Sequence, residues 1–449
     1  MSSHTTLTNK LFIFLKLFAP MALTQFSLLA GTFVAVFLSG RHGTADLAGV
    51  SVGYNIWIAV YMGVMGILLG ITPIISHLRG AESERDIPSV IQHGLYLATG
   101  LGFFMLSLWY FGLDPLLSLL NLEPEAYRIC VGYMKAFTWG IFPILWVCIF
   151  RNVVDSHGFT QLSMLIMTGS FFVSAGTTYI FIEGLLGFPE LGGIGAGYGT
   201  AVACWFNAIM YSGVFLFKEP FAGYRIFSYI RPFSFQPINN QLRLGIPIGI
   251  SIFCEGSSFS IAGLMMAEFG TEIIAAHQAA MSFTTLFYCF PLSISMAATI
   301  VVAYELGARR PKDALTYSYL ARGVALAIAA LICSYTFTHL ETVASLYSKD
   351  PAVITLIVSF LSYAVFFTVI DAFGTPLQGI LRGYRDMRSI TIIAVLSYWG
   401  VCFPTAYLFS RHLGYGPYGV WIGLLSCVVT AGLLFTLRVS YVQRKVGRQ

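Results

Sequence analysis

A single carboxylate, Glu255, interrupts an apolar stretch of membrane-spanning length that runs from Leu244 to Met266. A charge at bilayer depth costs roughly 2.5–3.5 kcal/mol even on insertion scales, so such a residue normally faces a helix-bundle interior or a wet cavity. Residues three and four positions away share its helical face, and this face includes Ser251 and Ser258. The pattern favours an ion or proton site. A structural carboxyl group that is hydrogen-bonded to a neighbouring helix is the alternative.

A second acid, Asp371, lies within another apolar stretch, and its helical face includes Thr375. Two carboxylates that come together can hold a cation between their oxygens, or one of them can keep a proton because like charges repel. Hard cations such as Na⁺ prefer oxygen ligands. We therefore expect Glu255 and Asp371 to bind Na⁺ or H⁺, with Ser258 and Thr375 as candidate hydroxyl ligands.

The composition is that of a polytopic membrane protein. Of 449 residues, 57% are hydrophobic and only 10% are charged. In soluble domains about a quarter of the residues are charged. All eight cysteines fall in apolar spans without a CxxC pair, so we expect neither disulfides nor a metal cluster. The chain has no HExxH or DDxxD motif, and its GxSxG match at 49–53 lies within an apolar span, which argues against an intramembrane hydrolase or prenyl transferase.

Hydropathy predicts an all-α membrane protein with twelve transmembrane helices. The longest charged linker, 218–236, separates six spans from six. We therefore expect an N-terminal lobe at 1–217, a cytoplasmic linker at 218–236 and a C-terminal lobe at 237–449. The predicted spans are 12–39, 46–77, 88–111, 127–150, 160–183, 192–217, 239–267, 272–304, 314–338, 352–381, 389–411 and 417–438.

The two lobes repeat each other in sequence. A shift of 227 residues places Pro20 on Pro247, and a shift of 224 places Gly192 on Gly416. Because six helices per lobe is an even number, both lobes enter the membrane from the same side. They should be parallel repeats related by a pseudo-two-fold axis along the membrane normal, and a substrate cleft is expected between such lobes.

Several segments, taken in their order and spacing, resemble the multidrug and toxic compound extrusion (MATE) family and most closely its bacterial NorM branch. The resemblance extends from Pro20 to Gly423, which is nearly the whole chain. The matching segments are the helix from Pro247 to Glu255, Ala275-Ala-His277-Gln278, Asp371 with Pro376, Leu381-Arg-Gly-Tyr-Arg-Asp386 and Leu78-Arg-Gly-Ala81.

The resemblance implies an antiporter that expels organic, often cationic, compounds in exchange for Na⁺ or H⁺, with no other cofactor. By position, Glu255 and Asp371 resemble the carboxylates of the family's C-terminal cation site. Phe259 and Phe367 are candidates for cation–π contact with an organic substrate. The full set of residues expected to line the substrate cavity is Ser258, Phe259, Gln278, Tyr288, Phe367 and Thr375.

The N-terminal lobe departs from the family pattern. Many relatives have an aspartate in the first helix, five residues before a glycine. In this chain the glycine corresponds to Gly40, and the position of the aspartate is occupied by Ala35. A polar pair of the fifth helix falls on Ser174 and Thr178. We therefore expect no proton site in this lobe, so that coupling rests on the C-terminal lobe.

The leading hypothesis is a cation-coupled multidrug exporter of the bacterial inner membrane. It would act as a monomer on small organic molecules, contact lipid and bind no nucleic acid. The alternative is a lipid-intermediate flippase on a related scaffold. Such flippases use a cationic cavity for pyrophosphate, and the main mid-span cation here is Lys135, which could instead reach an interface by snorkelling.

The distribution of Lys and Arg predicts that both termini are cytoplasmic. With that orientation, the inner segments carry sixteen basic residues and the outer loops carry only Arg41, Lys349 and Arg411. A cysteine introduced at Ser3 should therefore resist an impermeant thiol reagent in intact cells and react after permeabilisation. Labelling of this cysteine from outside intact cells would reverse the topology.

Overall fold

The computed structural model describes residues 6–118 and 122–447, which are almost entirely helical. Eleven helices in this part are long and apolar enough to cross a membrane, and the number is twelve when one bent pair counts as a single span. The spans are α1 (Leu7–His42), α2 (Thr44–Gly80), α3 (Glu84–Ser118), α4 (Pro124–Thr138 and Ile141–Ser156), α5 (Thr160–Glu183), α6 (Gly193–Phe217), α7 (Phe235–Ala267), α8 (Thr271–Gly307), α9 (Pro311–Thr338), α10 (Pro351–Gly383), α11 (Met387–His412) and α12 (Pro417–Val446).

Each of the twelve apolar stretches corresponds to one of these spans, so the prediction of an all-helical membrane protein is confirmed. The fourth span differs from the single helix expected at 127–150. It is bent by 51° between Thr138 and Ile141. Gly140 lies at this bend, and a Cβ atom there would come within 3.2 Å of the Ala201 Cα atom of α6. Ser3 and Arg448, which enter the topology argument, lie outside the described residues.

The backbone shows the internal repeat that the sequence predicted. Left-handed φ angles occur at Glu82 and Arg309, 227 residues apart, and both are 56°. Gly192 and Gly416, 224 residues apart, have φ angles of 54° and 56°. Because non-glycine residues rarely adopt such angles, their recurrence at the sequence-derived spacing indicates that the turns between spans are repeated as well.

The chain separates into two compact units. The first unit comprises residues 1–22, 79–81 and 250–449, and the second comprises residues 23–78 and 82–249. Both α1 and α7 pass from one unit to the other, two residues after Pro20 and Pro247 respectively. Proline removes a helical hydrogen bond and makes a helix easier to bend. The divisions therefore follow the two prolines that the repeat aligns.

The charged linker is held against the start of α3, within the second unit. The Gln92 side-chain amide donates to the carbonyl oxygens of Ile226 and Tyr229, each at 2.7 Å, and accepts from the Arg231 backbone N–H at 3.1 Å. The Ser234 N–H donates to a ring nitrogen of His93 at 2.9 Å. These contacts give the 218–236 segment a fixed course.

In the first unit, charged residues of two predicted inner segments meet at one end of α8 and α9. Arg310 forms an ion pair with Glu305 at 2.9 Å, and Lys10 pairs with Asp313. The guanidinium of Arg310 also lies 5.9 Å from the centre of the Tyr304 ring. The basic residues assigned to one side of the membrane by sequence are therefore partly neutralised by local acids.

Close backbone packing joins α8 to α10. Gly379 of α10 lies directly on the backbone of α8, where any Cβ atom would overlap the Ser295 carbonyl oxygen. The Thr299 hydroxyl lies 2.9 Å from the Ser295 carbonyl oxygen and 3.0 Å from that of Gly379, so it can donate to either. Small residues allow this approach in the same way as in other membrane helix pairs. The contact fixes α10, which carries Asp371.

Span α11 is not a regular α-helix. It contains two π-helical segments, Val395–Val401 and Leu408–His412. Such segments insert an extra residue into a helical turn and often occur at functional sites. The first of them carries Tyr398, which is almost fully buried.

We predict that Gly379→Ala destabilises the protein by about 1–3 kcal/mol, because the added methyl group must displace a backbone carbonyl. Gly323→Ala is the matched control. Gly323 is also helical in the first unit, and nothing lies within 4 Å of its Cβ position, so this change should be neutral or stabilising by up to about 1 kcal/mol. Thermal unfolding of the purified variants in detergent compares the two. Equal melting temperatures would show that α8 and α10 do not pack this closely.

Candidate functional site

Glu255 is buried in α7, with only 8% of its surface exposed. The Tyr288 hydroxyl of α8 donates to Glu255 Oε1 at 3.2 Å. The Gln378 side chain of α10 also interacts with the carboxylate. Neutral side chains from two neighbouring helices therefore face Glu255, and no described basic residue forms a direct ion pair with it.

Asp371 is buried to the same degree in α10, with 7% of its surface exposed. The Thr375 hydroxyl, one turn further along, donates to Asp371 Oδ1 at 2.9 Å. The charges of Asp371 and Glu255 act on each other. The structure thus brings together the two acids that were paired from sequence alone, and Thr375 contacts one of them as expected.

One face of α10 carries the polar side chains of this cluster. Asp371, Thr375, Gln378 and Arg382 follow each other at spacings of four, three and four residues, which places them along one side of a helix. Arg382 lies within α10, is only 7% exposed and donates to Gln378 Oε1 at 3.4 Å.

Sequence reasoning did not identify Arg382 as a member of the cluster. The helical spacing from Asp371 was the available signal, since it places Gln378 on the same helical face. The same spacing extended by one turn reaches Arg382. The arginine was overlooked because it immediately precedes Gly383, where the span ends and a charged turn begins.

Two neutral groups of α11 and α12 complete the surroundings of the carboxylates. Tyr398, on the first π-helical segment, interacts electrostatically with both Glu255 and Asp371. Cys427 of α12 does so as well, and its thiol donates to the Leu424 carbonyl oxygen at 3.1 Å. Tyr398 belongs to the irregular helix α11, whose course the sequence pattern did not reveal.

The aromatic residues expected in the cavity contact each other. The rings of Phe259 and Phe367 form an edge-to-face pair with centroids 5.7 Å apart. Phe259 is one helical turn from Glu255, and Phe367 is one turn from Asp371. The pair therefore lies on the same stretch of α7 and α10 as the two acids.

The other two expected cavity residues are placed less directly. Ser258 is fully buried, and its hydroxyl donates to the backbone carbonyl of Glu255 at 2.7 Å. The oxygen keeps lone pairs, but the proton is directed away from the carboxylates. Gln278 lies on an exposed face of α8, ten residues and about 15 Å along the helix from Tyr288. The structure does not bring Gln278 into the cluster.

The positions that replace the family's N-terminal acid site contain no titrating group. The Ala35 carbonyl oxygen accepts a hydrogen bond from the Ser39 hydroxyl at 2.8 Å. Thr178 is buried against Gly199 of α6, and the carbonyl oxygen of Ser174 accepts from the Thr177 hydroxyl at 3.3 Å. These side chains pack helices together in the second unit.

A buried ion pair nevertheless lies elsewhere in the second unit. Arg151 Nε is 3.6 Å from Asp155 Oδ2 one turn along α4, and both residues are less than a tenth exposed. Arg151 also donates to Gln25 Oε1 at 3.3 Å. Asp155 is buried and already paired with a cation.

Among the residues that the structure describes, no three His, Cys, Asp or Glu side chains come together in a way that could hold a metal ion. A Na⁺ ion at Glu255 and Asp371 would therefore need neutral oxygens, such as hydroxyl, carbonyl or water oxygens, to complete its coordination.

Comparison with known proteins gives the chain its family. The family model MatE matches residues 20–180 and 247–408. The "Probable multidrug resistance protein NorM" of Oceanobacillus iheyensis is 40% identical over 99% of this chain and 100% of its own length. The protein of the same name from Halalkalibacterium halodurans is 38% identical over 100% of this chain and 98% of its own length.

The fold agrees with this relationship. A solved structure described as "Crystal structure of MATE in the straight conformation" has a TM-score of 0.89 at 19% sequence identity, and the match covers 98% of this chain and 97% of that one. The family consists of membrane transporters, not enzymes. The chain is therefore a member of the MATE family of multidrug transporters.

Proposed function

We propose that the protein is a cation-coupled antiporter that exports organic cationic or amphipathic compounds in exchange for Na⁺ or H⁺. The observation that carries this proposal is the pair of buried carboxylates, Glu255 and Asp371, on two helices of the first unit. Neutral hydrogen-bond donors surround them, so their charge is not fully compensated by the protein.

Such a pair favours positive charge from whatever source supplies it. Two ionised carboxylates in a low-dielectric interior repel each other and lose hydration, and a cation that binds between them reduces both penalties. A proton, a Na⁺ ion or the charged group of an organic substrate can play this role. Thr375 and Tyr288 add hydroxyl oxygens beside the carboxylates.

Exchange follows when the coupling ion and the substrate bind to the same negatively charged carboxylates. A ligand shifts a conformational equilibrium only through its different affinity for the two states. If Na⁺ or H⁺ and substrate displace each other at Glu255 and Asp371, the gradient of one can drive release of the other. The edge-to-face rings of Phe259 and Phe367 would contribute about 0.5–2 kcal/mol of cation–π attraction to an organic cation.

The flippase alternative is not supported by the placement of the basic residues. Lys135 lies on an exposed face of α4, and the buried Arg151 and Arg382 stand beside acids or amides. A cavity for pyrophosphate would need several unpaired cations together. The names of the most similar relatives also describe drug resistance.

The organisation that we propose follows the sequence repeat. The lobes are 1–217 and 237–449, joined by the linker 218–236, with both termini in the cytoplasm of a bacterium and the protein in its inner membrane. We further propose that it functions as a monomer. The repeated turns at Glu82 and Arg309 support the lobe assignment, and the distribution of basic residues supports the orientation.

We predict that Glu255→Gln and Asp371→Asn each abolish gradient-driven export while leaving the fold intact, because each change keeps the shape and removes one charge of a pair that acts as a unit. The double variant should be little worse than either single one. The measurement is substrate transport in proteoliposomes, with Na⁺ and H⁺ gradients imposed separately, and it also identifies the coupling ion. Wild-type coupling in both single variants would leave the carboxylates as structural groups and contradict the proposal.

Ser174→Ala and Thr178→Ala should lower transport only modestly, since neither side chain carries a charge that could couple to an ion gradient. The same proteoliposome assay measures the effect, with size-exclusion chromatography as the control for folding. Complete loss of transport by a well-folded variant would show that the N-terminal lobe takes part in coupling.

A further inference from the structure

Arg382 is a buried cation that has no role in the exchange of coupling ion and substrate described above. It lies at the end of α10 with 7% of its surface exposed. One guanidinium nitrogen donates to Gln378 Oε1 at 3.4 Å. Its Nε atom has no hydrogen-bond partner in the described part of the chain. Burying a guanidinium in this way is costly unless a nearby anion compensates it.

The anion that interacts with Arg382 is Glu255. Gln378 accepts a hydrogen bond from Arg382 and also interacts with Glu255, so one amide side chain interacts with both charged groups. Within the described residues, the charged partners of the Glu255 carboxylate are Asp371 and Arg382. Tyr288, which donates to Glu255, also interacts with Arg382.

The repeat provides a matched comparison in the second unit. The shift of 227 residues places Arg151 at the position of Gln378, and Asp155 at that of Arg382. There the buried arginine pairs directly with the aspartate one turn away, and the two charges cancel within one helix. Arg382 has no such acid in its own turn of α10. Its compensating charge comes from α7 instead.

We propose that Arg382 is a fixed internal counter-ion of the Glu255–Asp371 pair, which limits the site to one exchangeable positive charge. This inference rests on the proposed function, because it assigns a charge balance to the same site. Two ionised carboxylates and one guanidinium sum to a net charge of −1. One proton, one Na⁺ ion or one monocationic group of an organic compound then neutralises the site, and binding of one excludes the others.

A fixed counter-ion of this kind makes charge selectivity measurable. The probes are decyltrimethylammonium, which carries one charge, and decamethonium, which has a similar ten-carbon chain and carries two. Their dissociation constants are measured on purified full-length protein in sodium-free buffer. Arg382→Gln changes the net charge of the site from −1 to −2. We therefore expect the preference of this variant for the dication over the monocation to be at least about tenfold greater than that of wild type.

Arg388→Gln is the control, because Arg388 is an exposed arginine six residues away. It removes the same charge from the protein without touching the cluster, and its preference should equal that of wild type. An unchanged preference in folded Arg382→Gln protein would overturn the proposal.

Charge compensation gives a second test that a merely structural arginine would not pass. Glu255→Gln leaves Asp371 with Arg382 and a net charge of zero, so monocation binding should weaken at least about tenfold. The paired variant Glu255→Gln with Arg382→Gln returns the site to −1 and should recover most of that binding. If the paired variant binds no better than Glu255→Gln alone, Arg382 is not the counter-ion.

The outcomes separate this inference from the proposed function. If Glu255→Gln and Asp371→Asn bind both probes as wild type does, the two carboxylates are not the binding site, and both proposals are contradicted. Lost binding in these two variants, with a wild-type charge preference in Arg382→Gln and no recovery in the paired variant, would contradict only the counter-ion. If Arg382→Gln alone does not fold, the paired variant and the single carboxylate variants still decide the question.

Discussion

The electrostatic penalty for keeping Glu255 and Asp371 in a low-dielectric interior is the constraint on which the candidate site depends. Each buried ion loses several kcal/mol of hydration even after relaxation, and the two acids also repel each other. Hydroxyl donors from α8 and α10 offset part of this penalty. An exchangeable cation that binds there offsets the remaining penalty. Its binding and release can therefore drive a transport cycle.

The surrounding helices meet this constraint by geometry. The contact of Gly379 with the backbone of α8 holds α10 close to the helix whose Tyr288 hydroxyl donates to Glu255. The π-helical segment of α11 carries Tyr398, which interacts electrostatically with the same carboxylates. The second unit uses the repeated scaffold differently, since its buried Arg151 is already neutralised by Asp155.

Much of this arrangement could be predicted from sequence because it depends on strong, local signals. Apolar length located the spans, and rarity of charge within them located Glu255 and Asp371. The bend at Gly140 could not be predicted, because it reflects the packing of α6 at that point. Arg382 was not recognised as part of the cluster because span ends are uncertain by several residues, and one helical turn decides whether an arginine is exposed or buried. Gln278 shows the opposite error, since a polar residue in a matching motif lies away from the cluster.

The central claim is that a coupling ion and an organic cation compete for the charge of one carboxylate pair. Equilibrium binding of decyltrimethylammonium to the purified protein, titrated against Na⁺ at several fixed pH values, tests it most directly. The ion that is coupled to transport, Na⁺ or H⁺, should raise the apparent dissociation constant of the probe as the concentration of that ion increases. The number of binding sites should stay unchanged. A dissociation constant that is independent of both ions would contradict a shared site at Glu255 and Asp371.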